Sequence, residues 1–267
     1  MRMLRIACLT FLVAVALASA LAGFVAPSGY AQQFRDVPGA SCSRQHPLGT
    51  DDLGRDRLAR VLYGTRVSLL LAPAAALLAT LLAGAVGGIA GFFGGWLLSA
   101  TNAMIDLVLS MPWLFLLITV RALLPLNASP LVSVCITFAL LGCLGWAGAA
   151  RIVCAGARDL CRSDIVLLAR ASGSGGLRLF VRHILPNLAP ALRAQFWISV
   201  PVFILAEANL GVLGLGVSEP LPSWGSLLRE LESYSAIPSP LYWIPLALLV
   251  LTVGAFQLLL HREEVFA

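Results

Sequence analysis

Val67 to Ile105 reads VSLLLAPAAALLATLLAGAVGGIAGFFGGWLLSATNAMI and contains no charged side chain. About 20 apolar residues suffice to cross the hydrocarbon core of a bilayer, so this run holds one full span and the approach to the next. Only 12% of the 267 residues are charged, against roughly 25% in a soluble domain. Hydrophobic residues make up 59%, and the mean hydropathy is +0.90. The chain is therefore a polytopic membrane protein. Six spans are predicted, at about 6–25, 69–93, 104–124, 131–152, 188–212 and 242–260. Backbone groups in lipid must be satisfied within their own segment, and the period-two alternation of a barrel strand is absent. The expected fold class is all-α, with both termini on one side.

Within the apolar run, Gly84 to Gly95 (GAVGGIAGFFGG) invites a nucleotide-binding reading. All 18 basic residues are arginine, however, and a phosphate-binding loop needs a lysine to reach the terminal phosphates. The glycines read better as small residues that let transmembrane helices approach closely. If transport here consumes ATP, another chain must bind it. The six cysteines are not arranged as a disulfide framework: only Cys42 lies clearly in the first loop, and Cys154 and Cys161 lack the companions a zinc site needs.

Arg2 and Arg5 precede an apolar run ending in small residues, so a cleavable signal peptide, with Ala18-Ser19-Ala20 as its site, competes with a retained anchor. The apolar stretch continues to Ala26, which favours the anchor. With the N-terminus inside, 10 arginines fall on the cytoplasmic side and 8 outside, too thin a margin to orient the chain by total charge. Orientation rests instead on the dense cluster from Arg151 to Arg193.

That cluster contains DIVLLARASGSGGLRLFVRHILPN, Asp164 to Asn187, a basic amphipathic loop between apolar runs. It reads as two short helices about a glycine hinge. Ile165, Leu168, Ala169 and Ser172 share one helical face, and Ser163 is placed to cap that helix. Leu177, Phe180, Val181, Ile184 and Leu185 repeat the spacing, Arg178 and Arg182 share another face, and Pro186 is expected to end the second helix. Ser172 to Gly176 can supply the positive φ of a sharp reversal. Neither helix is long enough to stand alone in water. Each is held by the spans at its ends or by a partner surface, and a membrane-surface hairpin without a partner is the competing reading.

In the first loop, HPLGTDDLGRDRLARVLYGTRVSL, His46 to Leu69, predicts a helix along the membrane surface. Thr50 or Asp51 would cap it, Leu58, Val61 and Leu62 would form its apolar stripe, and Asp56 would pair with Arg60 at i, i+4. Asp51, Asp52 and Asp56 could guide a cationic substrate or contact a partner, or serve as caps and solvated charges. Three ionisable residues lie in or at the ends of spans: Asp106, Arg121 and Glu207. Glu207, with Asn209 beside it, is the candidate for a translocation path or subunit contact, against a structural hydrogen bond to a neighbouring helix. Asp106 and Arg121 are expected near opposite membrane surfaces, and Pro112 should kink its helix. The segment LGLGVSEPLPSWG, Leu213 to Gly225, is too rich in proline and glycine for a simple helix, and Trp224 suits an interfacial position.

These residues resemble a known family. Asp164 to Pro186 looks like the EAA loop of type I ABC importer permeases, with Gly173 at the motif's glycine and HILPN at its end. HPLGTDDLGRD from His46, ILAEANLGVLGLGV from Ile204 and PSWG from Pro222 resemble the C-type permease subunit of dipeptide and oligopeptide importers. The resemblance implies the type I ABC permease fold: an anchor and outer loop over 1–66, a core over 67–260 with its coupling loop at 153–187, and a short cytoplasmic tail over 261–267. It implies a bacterial plasma (inner) membrane location with cytoplasmic termini. The implied partners are a B-type sister permease in a heterodimer, one or two cytoplasmic ABC ATPases, an extracytoplasmic peptide-binding protein and the lipid bilayer, with no nucleic acid. ATP and Mg would be held by the ATPases, and no catalytic residue, cofactor or metal is expected in this chain. The residues expected to couple to the ATPase are Asp164, Leu168, Ala169, Arg170, Gly173, Arg178, Phe180, Arg182 and Pro186. Asp51, Asp52, Arg55, Asp56 and Trp224 are expected to meet an extracytoplasmic partner. Leu167 stands where the family usually has glutamate, so docking should rely on apolar surface and arginines.

Two other classes compete with this expectation. An ion-coupled carrier would use Asp106, Arg121 and Glu207 without any ATPase. An intramembrane protease lacks its parts, because there is no HExxH and Gly39-Ala-Ser-Cys lies in a loop. Relatives of the same architecture also carry nickel, glutathione or haem.

Overall fold

The computed structural model describes residues 2–123, 129–173, 175–232 and 240–260. All its named elements are helical: α1 (Arg2–Ala20), α2 (Ala22–Val25), α3 (Arg57–Phe93), α4 (Gly95–Ser110), α5 (Trp113–Leu123), α6 (Pro130–Leu144), α7 (Trp146–Leu160), α8 (Asp164–Ala171), α9 (Gly176–Leu179), α10 (Leu185–Val212), α11 (Trp224–Glu232) and α12 (Ile244–Leu260). A π turn, Phe180–Ile184, leads into α10, and a 3-10 turn, Pro240–Trp243, leads into α12. The predicted tail over 261–267 lies outside the described residues.

Among the described residues, five helical segments are long and apolar enough to cross a bilayer: Met3–Ala20, Arg57–Phe93, Pro130–Leu160, Gly176–Val212 and Leu241–Leu260. A sixth crossing is met only by α4 and α5 together, which bend by 89° across Met111 and Pro112. The span expected at 104–124 is thus sharply bent, at the proline where a kink was predicted. Pro112 supplies the break: it cannot donate to the ladder, and it holds Met111 extended, at ψ 136°.

The chain divides into two compact units. One comprises Met1–Ala72, Val120–Phe138 and Pro201–Ala267, and the other Pro73–Thr119 and Ala139–Val200. In the second unit the glycine-rich run does what its composition suggested. A Cβ on Gly87 would lie 2.5 Å from the Ala150 carbonyl oxygen, and one on Gly91 would lie 2.4 Å from that of Cys154. Two glycines four apart on α3 therefore seat two carbonyls four apart on α7, a backbone approach that no larger residue permits. α7 packs against α4 as well, through Ile105, Trp146 and Ala150.

In the first unit α1 lies along α12, and α11 also packs on α12. The predicted surface helix does not stand apart. α3 begins at Arg57 and continues without interruption through the apolar run, because nothing between Arg57 and Val67 breaks a helix. Its cap is neither Thr50 nor Asp51 but Asp56, whose Oδ1 accepts the Ala59 amide at 2.8 Å. Asp56 does not pair with Arg60; its Oδ2 lies 2.8 Å from His46 Nδ1. Thr50 instead donates to the Val37 carbonyl and accepts the Ala40 amide, pinning the outer loop. The Arg57 guanidinium sits 3.4 Å from the centre of the Tyr242 ring.

Candidate functional site

The basic loop folds onto the second unit as a two-faced layer. Val166, Leu179, Phe180 and Ile184 turn inward and pack with Val153, Ala157 and Leu188, where full burial of each such side chain contributes about 1.5–3 kcal/mol. The inward residue of α8 is therefore Val166, with Ala169 at its edge. Ile165 and Leu168, on the face the spacing picked out, stand 64% and 68% exposed, and Ser172 is exposed too. An eight-residue helix carries apolar residues on both sides, and the spacing left open whether that face meets the protein's own spans or a partner. On the following turns Leu177 and Val181 are likewise exposed, at 73% and 54%.

Four exposed apolar side chains thus share the outer surface with Arg170, Arg178 and Arg182, none of which forms an ion pair among the described residues. Asp164, Gly173 and Pro186 are exposed as well, whereas Phe180 is buried and supports the layer from below. Gly173 follows α8 at φ 81°, a left-handed conformation that favours glycine, while open space surrounds the position a Cβ would take. Conformation rather than room keeps glycine there. Ser163 occupies the cap position, but its hydroxyl turns back to donate to the Leu160 carbonyl at 2.6 Å. Pro186 does not end the helix. The Leu185 amide bonds five residues back to Phe180, and this widened turn admits the proline into the first turn of α10.

The first unit holds an ion cluster built on two buried arginines, with Glu219 half exposed at its edge. Arg55 Nε donates to Asp51 Oδ2 at 2.6 Å and its Nη1 to Glu219 Oε2 at 2.5 Å. Arg60, fully buried, donates to Glu219 Oε1 at 3.0 Å and to Glu230 Oε1. Burial pulls the Arg55 pKa down, but its hydrogen bond to Asp51 and the charges of Glu219 and Asp51 reverse this and leave it raised. Burial pushes Glu219 up, and the two arginines overcome that push and hold it below its ordinary value. Glu230 stays above its ordinary value, since burial and the neighbouring Asp51 and Glu219 charges outweigh Arg60 and Arg55. Asp51 Oδ1 also accepts the Leu53 and Arg55 amides, closing the turn before α3. Of the five residues expected at an outer partner, Asp51, Arg55, Asp56 and Trp224 are buried by their own chain, and Asp52 is exposed.

Glu207 is fully buried and accepts a hydrogen bond from Ser68 Oγ at 3.1 Å, while Ser68 Oγ in turn accepts the Trp224 amide at 3.2 Å. Trp224 Nε1 donates to Thr65 Oγ1 at 2.9 Å, so this tryptophan is a buried anchor rather than an interfacial one. Gly211 and Gly225 make the crossing possible: a Cβ on Gly211 would lie 2.4 Å from the Gly225 Cα. Glu207 accordingly ties α3, α10 and the start of α11 together, while Asn209 is exposed. Arg121 is also buried, and donates to Ser133 Oγ at 3.1 Å and to the Gly216 carbonyl at 3.4 Å. Sequence reasoning missed Arg60, Glu219 and Glu230 because their pairings span 159 and 170 positions. It also missed the pair of Asp106 with Arg151.

A family model described as binding-protein-dependent transport system inner membrane component matches residues 56–263. The chain is 32% identical over 240 residues to the dipeptide transport system permease protein of Bacillus subtilis, covering 88% of this chain and 72% of that one. It is 33% identical over 257 residues to the dipeptide transport system permease protein of Haemophilus influenzae, covering 94% and 85%. Against the nickel transport system permease protein of Escherichia coli it is 34% identical over 232 residues, covering 86% and 81%. On these matches the chain belongs to the family of binding-protein-dependent transport system inner membrane components and is a multi-pass permease subunit of the type I ABC importer fold.

Proposed function

We propose that this chain forms, with a sister permease, the membrane path for di- and oligopeptides, driven by ATP hydrolysis on separate subunits. The observation that carries the reading is the two-faced layer at 164–187. Its inner face is locked onto α7 and α10, and its outer face offers exposed apolar side chains and arginines for an ATPase to hold. Movement of the ATPases on binding ATP is carried by this layer into the attached helices, and the path reopens inward. That requires only that the layer bind the two ATPase arrangements unequally. ATP and Mg belong to the partner chains, and this subunit contributes no catalytic residue. The layer faces the cytoplasm, and the outer loop with Asp52 faces an extracytoplasmic peptide-binding protein. The peptide assignment draws on the two dipeptide relatives; the nickel relative, at similar identity, marks the alternative cargo.

The test is uptake by the assembled complex. Gly173→Val forces a β-branched residue into a left-handed conformation at a cost of roughly 1–2 kcal/mol, with no steric clash to confuse the result. The variant should assemble normally yet accumulate at least ~10-fold less peptide per ATP hydrolysed. Wild-type uptake at normal complex levels would overturn the coupling role. Failure of the chain to co-purify with an ATPase would overturn the ABC reading.

A further inference from the structure

Arg151, Arg158 and Arg162 lie at i, i+7 and i+11 of the α7 segment, with Ala155 and Asp159 on the same exposed face. Opposite them on α4 stand Asn102 and Asp106, and Asp106 is ion-paired to Arg151. The two side chains of that pair are 67% and 52% exposed. Asn102, Arg151, Arg158, Asp159 and Arg162 line one open cavity of about 430 Å³. The buried side of α7 is made of Trp146, alanines, Val153 and Cys154, so the helix is amphipathic although it belongs to an apolar span of 31 residues.

Position along the helices limits what this face can meet. From Arg151 to Arg162, and equally from Gly95 to Asp106, the chain rises about 16 Å, roughly half of a ~30 Å hydrocarbon core. With the 164–187 layer at the membrane surface, the Asp106 and Arg151 pair stands deep in the bilayer. Exposed charges at that depth do not face lipid; they face water or a polar cargo. Peptides are zwitterions, and the cavity presents both signs: arginines suited to a carboxylate and Asp159 suited to an ammonium. Its volume falls within the ~300–1,000 Å³ range of small-molecule sites.

We propose that the polar face of α7, with Asn102 and Asp106 of α4, is a wall of the translocation path, where Arg158 and Arg162 hold the free carboxylate of a passing peptide and Asp159 its ammonium group. The inference rests on the peptide-permease reading above and names the residues that meet the cargo. Neither Glu207 nor Asn209, the residues expected for that role, is among those lining this cavity.

The test uses the complete importer in proteoliposomes with its binding protein saturated by a dipeptide. Arg158→Gln combined with Arg162→Gln should lower the maximal uptake rate at least ~10-fold, and Arg158→Lys combined with Arg162→Lys should recover most of it. Arg158→Cys should be similarly impaired and then rescued by a cationic methanethiosulfonate but not by an anionic one. The wild type, with six cysteines of its own, is treated in parallel. Unimpaired uptake by the double glutamine variant overturns the inference alone. So does an Arg158→Cys variant whose new thiol no water-soluble reagent reaches, the result expected if the sister permease covers this face. A wild-type complex that accumulates no dipeptide overturns both this inference and the reading on which it rests.

Discussion

Charges in the two units of this protein are handled in opposite ways. The first unit gathers Asp51, Arg55, Arg60, Glu219 and Glu230 into a cluster in which Asp51 and both arginines are buried and Glu219 is the most exposed member. The second leaves both members of the Asp106 and Arg151 pair more than half open and the arginines beyond it exposed. A buried pair in which every charge is matched resists the loss of either partner, because the survivor is stranded. An open pair is worth little to stability and is available for exchange. The contrast separates an ion cluster that holds loops together from one that can release its partner to something else.

The largest expected effect lies in the closed cluster. Arg60→Met removes the buried guanidinium and leaves Glu219 and Glu230 to Arg55 alone, which should cost about 1.5–3 kcal/mol, read as a lower thermal midpoint of the purified complex. The open pair should respond differently: Asp106→Asn should change stability by less than about 1 kcal/mol while lowering uptake. If both substitutions destabilise equally, the distinction between the units fails. A smaller effect distinguishes the two glutamates. Glu219 is held below its ordinary value, so its contribution is present above the unfolded pKa and is lost as pH falls below about 4.5 through the depressed folded value. Glu219→Gln should therefore destabilise at neutral pH, with the deficit shrinking under acid. Glu230 is raised, so its ionisation works against folding as pH climbs above about 4.5. Glu230→Gln should be neutral or stabilising at pH 7, and a loss as large as that of Glu219→Gln would reverse the assignment. Melting curves of the two variants between about pH 3 and 7 provide the measurement.

The reading of the coupling layer shows how far local pattern reaches. Apolar spacing identified two short helices and a hinge, and Gly173 does adopt positive φ. The same spacing left open which face of α8 the chain itself covers: Ile165 and Leu168 point outward and Val166 inward. Pro186 was expected to stop a helix that a π turn instead carries past it. For α8 the contacts that select Val166 come from other helices, through Val153, Ala157 and Leu188.

Sequence alone determined the helical class, the apolar spans and the close approach of small residues around Gly87 and Gly91. These follow from composition and from short spacings, which act within one segment and are the same in any context. Only the tertiary structure decided that Trp224 and Glu207 are internal anchors, that Arg60 closes a cluster with carboxylates more than 150 positions away, and that Asp106 meets Arg151 on an open face. The cost or value of a charge depends on which groups surround it and how much water reaches it, and neither is specified until distant helices have packed.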